Sequence, residues 1–379
     1  MNSPNKALDR TAVSAVSSVI ADSWPVAALM AVGQLGRSAP SKRAPRRETD
    51  GMSGHAGFGR WLPTIAGMGV CLIGSFCSAQ EPKERAILKG HVANVPNLVF
   101  SADGMMLVSG GWDATTRLWD VASGKPLATF KDRAEKIWSV AITADSQSVA
   151  SGSDDGTITL WDVGRGTKRT AYKGDPEPIR SLAFSSNGKI LVSGDDNGTI
   201  KLWDVATGKE RATLKGHSHR VTTVRFSPNG KVLASASGDS GGVRLWDMAT
   251  YKERFALKAN EEDNALVSIA FSSDGEMLAS GSKLGKIKLW SVTTGKQLGT
   301  TSPDHDGCVA LAFSGDGKVL VSGSIDGTIK WWDVVTGKEQ ATTKTRPGEV
   351  RLVFSLDNKT VASVSKDGTL RLWDVAAPK

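Results

Sequence analysis

Asp304-His305-Asp306 sets an imidazole between two carboxylates, a grouping that can hold a cation weakly or pass a proton. Nothing around it supplies further ligands, so it reads as a solvated loop. Asp195-Asp196-Asn197-Gly198 resembles the opening of a calcium loop. A full loop needs more oxygen ligands and a terminal bidentate Glu; here Thr199 starts an alternating strand pattern, so a hairpin turn is the expectation. Cys308 opens the apolar run CVALAF with no His placed to activate it, which makes it a small core residue. The chain has five histidines. His91 and His217 occupy equivalent places in a repeated pattern and His55 lies far upstream, leaving only His219 and His305 as acid–base or metal candidates. Those two fall in different repeats. No Gly-x-Ser-x-Gly elbow, phosphate-binding Gly-rich loop or His-Glu-x-x-His pair is present. The expectation is a protein without catalytic residues, metal or cofactor.

The elements that carry these residues repeat. Trp119, Trp161, Trp203, Trp246, Trp290, Trp332 and Trp373 are spaced by 42, 42, 43, 44, 42 and 41 residues. Each ends a segment of the form hydrophobic–Ser–Gly–x–x–Asp–Gly–Thr–Ile–x–Leu–Trp–Asp–Val. Within one unit, Ile179–Phe184, Lys189–Val192, Thr199–Val205 and Glu210–Leu214 are short β-favouring runs separated by Asn-Gly, Asp-Gly-like and Thr-Gly turns. Such runs predict successive hairpins. A four-stranded sheet of this kind cannot bury both faces alone, so the units must stack. The last unit stops after three strands at Val375. Its missing fourth strand is at the other end, where Lys83–His91 (KERAILKGH) copies Lys209–His217 (KERATLKGH). Residues 84–89 are therefore expected to pair with 369–375 and close a ring. The fold class expected is all-β: a seven-bladed β-propeller preceded by a non-propeller N-terminal segment.

These residues resemble the WD-repeat (tryptophan–aspartate) propeller family over about residues 84–376. The resemblance implies a buried tetrad of His, Ser or Thr, Asp and Trp in each unit. His91, Ser109, Asp113 and Trp119 match it fully, and His217, Ser235, Asp239 and Trp246 match with a one-residue insertion near Ser240. Asp155, Asp326 and Asp367 keep the carboxylate, Asn197 replaces it, and the fifth unit has Leu284 there, making blade five the one expected to be least well tied. Trp331 replaces a Leu and reads as core.

In a ring of this type, the turn between the second and third strands and the start of the first strand open on one face. The turn slot holds Trp112, Asp154, Asp196, Lys283, Ile325 and Lys366; the first-strand slot holds Pro96, Trp138, Arg180 and Thr222, with Arg351 a looser match. Trp and Arg concentrate at binding hot spots. Trp112, Trp138 and Arg180 thus form a candidate partner patch, with Asp154, Asp196, Lys283 and Lys366 around it. The alternative places Trp138 in a strand interface and Trp112 as a cap on its turn.

The net charge is +8. Residues 1–79 hold eight Lys or Arg against four Asp or Glu, so only +4 is spread over the rest, with signs interleaved as in Lys209-Glu210-Arg211. That is a solvated surface without a basic stripe, and no nucleic-acid partner is expected. Residues 1–51 read as disorder or an over-extended start. Residues 52–79 read as a secretory signal: Arg60, then the apolar stretch Trp61–Ser78, then a small-x-small exit at Ala79. An uncleaved membrane anchor and a lipoprotein signal at Cys77 are the alternatives. The expectation is an exported (periplasmic, cell-surface or secreted) propeller, residues 80–379, acting as a non-catalytic scaffold for a protein or peptide partner. Two other readings stand beside it: a propeller hydrolase or lyase using channel-facing acids, and a cytoplasmic regulatory scaffold.

Overall fold

The computed structural model describes residues 81–131, 136–238, 242–257, 266–301, 307–345, 349–365 and 367–375. All regular elements among them are strands, arranged as seven antiparallel four-stranded sheets. Blade one comprises Asn97–Phe100, Met106–Gly110, Thr115–Asp120 and Pro126–Lys131, and blades two to six follow in the same order along the chain. Blade seven takes Glu349–Phe354, Thr360–Ser365 and Leu370–Asp374 from the end of the chain and Lys83–Leu88 from before blade one. Ala86 pairs with Leu372 and Leu88 with Leu370, so the closure expected from the copied Lys-Glu-Arg-Ala sequence is present. Each blade's innermost strand packs against the next, from blade one round to blade seven and back to blade one. The proposed signal segment lies outside the described residues.

The core consists of seven slabs, each shared by two neighbouring blades. Val108, Leu118 and Phe130 of blade one meet Ile137, Val149 and Trp161 of blade two. The seam is built alike: Leu88, Leu370 and Leu372 of blade seven meet Leu98, Leu107 and Trp119 of blade one. Burying both faces of every sheet in this way is what a single meander cannot do alone. Aromatic stacking adds to it, with Phe130 on Trp161 at 5.0 Å and Tyr172 on Trp203 at 5.8 Å. Burial pushes the Tyr172 phenol up to about 12. Its hydroxyl donates to Val205 O at 2.9 Å. Trp331 is 1% exposed, as its Leu-like position implied.

The repeated Ser-Gly has two separate physical causes. The Ser hydroxyl accepts the indole N–H of the blade's Trp in all seven blades, at 2.7–2.9 Å. The Gly leaves room for the next blade. A Cβ on Gly281 would lie 2.5 Å from Cys308 Sγ, so that thiol is a knob pressed against the neighbouring sheet. It is fully buried and desolvation raises its pKa to about 12, which suits packing and not nucleophilic chemistry. Among the described residues Cys308 is a free cysteine.

Candidate functional site

Within a meander, the turns joining second to third strands all emerge at one end of the blades, beside the approach to the first strands. Backbone bonds tie the two slots together: Trp112 N donates to Asn94 O (2.9 Å) and Asp154 N to Lys136 O (3.1 Å). In blades one, two, three, six and seven this turn is capped from within by a carboxylate. In blade one His91 Nδ1 lies 3.0 Å from Asp113, and its Nε2 lies 2.8 Å from Ser109 Oγ. Because an ionised carboxylate only accepts, Nδ1 must carry the proton, and Nε2 accepts from the Ser109 hydroxyl. Trp119 Nε1 then donates to Ser109 at 2.8 Å, completing the tetrad. Burial pushes the His91 pKa down and outweighs Asp113, which raises it, so the neutral ring is the native form. In blade four His217 Nε2 sits 2.7 Å from Ser235 Oγ, and Asp239 lies outside the described residues.

Elsewhere the turn carboxylate works without a histidine. Asp155 accepts from Thr157 N at 3.0 Å, Asp326 from Thr328 N at 2.9 Å and Asp367 from Thr369 N at 2.9 Å. For Asp326, burial would raise the pKa, but Lys344, Thr328 and Ser324 together hold it well below the usual carboxylate range. Gly156 completes its turn at φ +77°, where a Cβ would lie 1.8 Å from Asp175 O at the approach to the next blade. Blade three differs from expectation. Asn197 does not stand in for the carboxylate; Asp195, two positions earlier, accepts from Asn197 N (3.0 Å) and Thr199 N (2.8 Å). Asp195 is 5% exposed, and desolvation raises its pKa despite both bonds.

Three of the candidate partner residues touch one another in sequence. Trp112 meets Trp138 edge-on, with centroids 4.8 Å apart and planes at 64°. Arg180 lies over the Trp138 ring, its Cζ 3.7 Å from the centroid. Its Nε and Nη2 donate to Asp196 Oδ1 and Oδ2 at 2.6 and 2.5 Å. Lys136 Nζ extends the series at the other end, 5.3 Å from the Trp112 centroid. Lys136–Trp112–Trp138–Arg180–Asp196 is therefore one continuous ladder across three blades. Both rings are partly exposed, while their Nε1 atoms are covered and find no acceptor among the described residues. Asp154 is half-buried and accepts from Lys136 N at 3.3 Å.

The remaining candidates are not part of the ladder. Lys283 is exposed in blade five, and Lys366 and His305 lie outside the described residues. Arg351 pairs with Val364 as Ser181 pairs with Gly194, so it stands one place further along its strand than Arg180. Burial and then the charge of Arg180 push its pKa down. Arg225 was not anticipated. It is accessible to solvent yet enclosed enough that desolvation lowers its pKa, and Nη1 donates to Val224 O at 3.0 Å. The other inner strands hold Val99, Ala141, Ala183, Ala270, Ala312 and Val353 at its register, so aligning the strands slot by slot would have exposed it.

Residues 178–379, more than half the chain, match the family described as IFT122 first beta-propeller. Residues 82–120 and 124–162 each match the WD domain, G-beta repeat. The chain belongs to this family of WD-repeat β-propellers. It is similar to the small ribosomal subunit protein RACK1 of Drosophila melanogaster, 48% identical over 44 residues, which is 12% of this chain and 13% of that protein. It is likewise similar to the protein of the same name from Dictyostelium discoideum, 48% identical over 42 residues, 11% of this chain and 13% of that one. The matched stretch thus spans about an eighth of either relative's length.

Proposed function

We propose that this propeller is a non-catalytic interaction scaffold that holds a protein or peptide partner on the ladder Trp112–Trp138–Arg180. The observation that carries this reading is the ladder itself, with two rings partly open to solvent. Aromatic and guanidinium groups held rigid before binding lose little entropy when a partner arrives. Propellers of this family are typically non-enzymatic scaffolds. The relatives carry a name that places them in a ribosomal subunit, itself an assembly of bound partners. Asp196, an acid that a propeller hydrolase would use, has both oxygens engaged by Arg180. Export through a signal in residues 52–79 is part of the proposal and rests on that segment's composition.

The test uses the double variant Trp112→Ala and Trp138→Ala as the control for partner capture. Binding should fall while stability drops by about 1–2 kcal/mol, because an edge-to-face pair contributes about 0.5–1.5 kcal/mol beyond its buried area. A loss of about 3–5 kcal/mol, as expected for a core Trp, would place these rings in the structural core. N-terminal sequencing of protein expressed from Met52 in an exporting host should give a start at Gln80; an uncut chain in the membrane would mean an anchor, and an uncut soluble chain would refute export.

A further inference from the structure

The opposite end of the ring carries a second surface, at the seam between blades seven and one. There the turns between first and second strands repeat one motif seven times: a Ser or Thr, then two residues on an Asp or Asn whose side chain accepts the N–H two residues further along. The last position of the motif is polar in six blades, as Gln147, Lys189, Lys231, Glu276, Lys318 and Lys359. In blade one it is Met105, 66% exposed. The position before the Asp or Asn is Ala102, Ala144, Ser186, Pro228, Ser273 or Gly315 in six blades. In blade seven it is Leu356, 68% exposed. Both exceptional side chains line one groove of about 410 Å³ at the seam. Solvated loops do not need a Met and a Leu, and two neighbouring exceptions in one groove point to a ligand.

The groove's polar border is acidic. Asp103, Asp120 and Asp357 line it. The Ser101, Ser123 and Ser355 hydroxyls hold their pKa values below the usual range, so all three stay charged. Arg85, the one cation among the described residues lining the groove, is already committed: it pairs with Asp374 and donates to Thr360 Oγ1 at 3.5 Å and Val121 O at 3.4 Å. An apolar floor with three carboxylates on its rim, one of them (Asp357) beside Lys359, complements an apolar side chain flanked by cations. We infer that the seam groove between Met105 and Leu356 docks a partner peptide carrying a bulky apolar residue between basic ones. This surface is separate from the tryptophan ladder and stands without it.

The experiment follows the Met105 methyl resonance in the full chain labelled with ¹³C-methyl methionine, assigned by its loss in Met105→Lys. The probe is the synthetic peptide acetyl-Gly-Lys-Leu-Lys-Gly-amide, compared with Glu-Leu-Glu and Lys-Ser-Lys versions. The first should shift the signal saturably at millimolar concentration, and each control should bind at least about tenfold more weakly. Leu356→Ser, which restores the residue type of blades three and five, should weaken binding by a similar factor with unchanged melting. Trp112→Ala with Trp138→Ala should leave this titration as it is, whether or not the ladder binds a partner of its own. An unmoved Met105 signal, equal binding of the Glu-Leu-Glu peptide, or full binding by Leu356→Ser would each overturn the inference.

Discussion

Asp195 shows how one carboxylate can be structurally useful and still uncomfortable. It caps its turn through two backbone N–H groups, yet burial raises its pKa. A raised folded pKa means stability is lost as pH rises through the ordinary carboxylate range. Asn would keep the same accepting oxygen without the buried charge, so Asp195→Asn should stabilise the chain by up to about 1 kcal/mol at neutral pH. Urea unfolding should show this gain shrinking to nothing in acid; a loss at neutral pH would refute the account. His91 has the opposite sign. Its folded pKa is lowered below 6.5, so the unfolded chain takes up the proton first and stability should fall as pH drops below 6.5. The His91 ring protons, followed by NMR, should titrate below that value. The sequence located both residues but misassigned the blade-three cap, because Asn197 occupies the right position and the side chain that reaches the amides starts two residues earlier.

Among the elements, the turn of blade five has lost its carboxylate. Leu284 is 60% exposed where the other blades place an acid or amide, and Lys286 N is left with Ser282 Oγ at 3.2 Å. Leu284→Asp should restore the bond made by Asp155 in blade two and add about 1 kcal/mol, measurable as slower hydrogen exchange in blade five and a higher denaturation midpoint. Blade identity was legible because tryptophan and serine answer to a local rule, one donor and one acceptor per blade, with glycine at the close approach in five blades and Ala236 and Val364 there in the other two. The ladder was legible only as a set of slots. That Trp112, Trp138 and Arg180 actually touch depends on the angle between neighbouring blades, which no residue spacing encodes. Arg351 stands one position further along than Arg180 because its unit is one residue short ahead of the first strand, whereas the bulge between Glu349 and Arg351 recurs between Ile179 and Ser181.

For the molecule as a whole, the closing strand decides whether there is a ring. Leu88 is 1% exposed and packs into the slab shared by blades seven and one, whereas its neighbour Ile87 is 40% exposed. Leu88→Ala should therefore cost about 2–5 kcal/mol and Ile87→Ala under about 1 kcal/mol in urea unfolding. Removing residues 83–88 should cost far more and broaden the transition, since both blade seven and the seam lose a layer. If that deletion melts like the intact chain, closure contributes nothing. Closure was legible from the copied Lys-Glu-Arg-Ala run. The seam groove was not, because Met105 and Leu356 lie far apart in the chain and each looks unremarkable until the ring sets them side by side.

Arg85 and Asp374, partners within the closing sheet of blade seven, are 289 residues apart. During synthesis the first of them leaves the ribosome while the second has yet to be translated. At about 5–20 residues per second that interval is roughly 15–60 s, during which blade one already has a strand's worth of backbone waiting beside it with no mate. Lys83–Leu88 must therefore wait without its partner strand until Leu370–Asp374 has been made, so the sheet that closes the ring is one the nascent chain cannot complete until late in its synthesis.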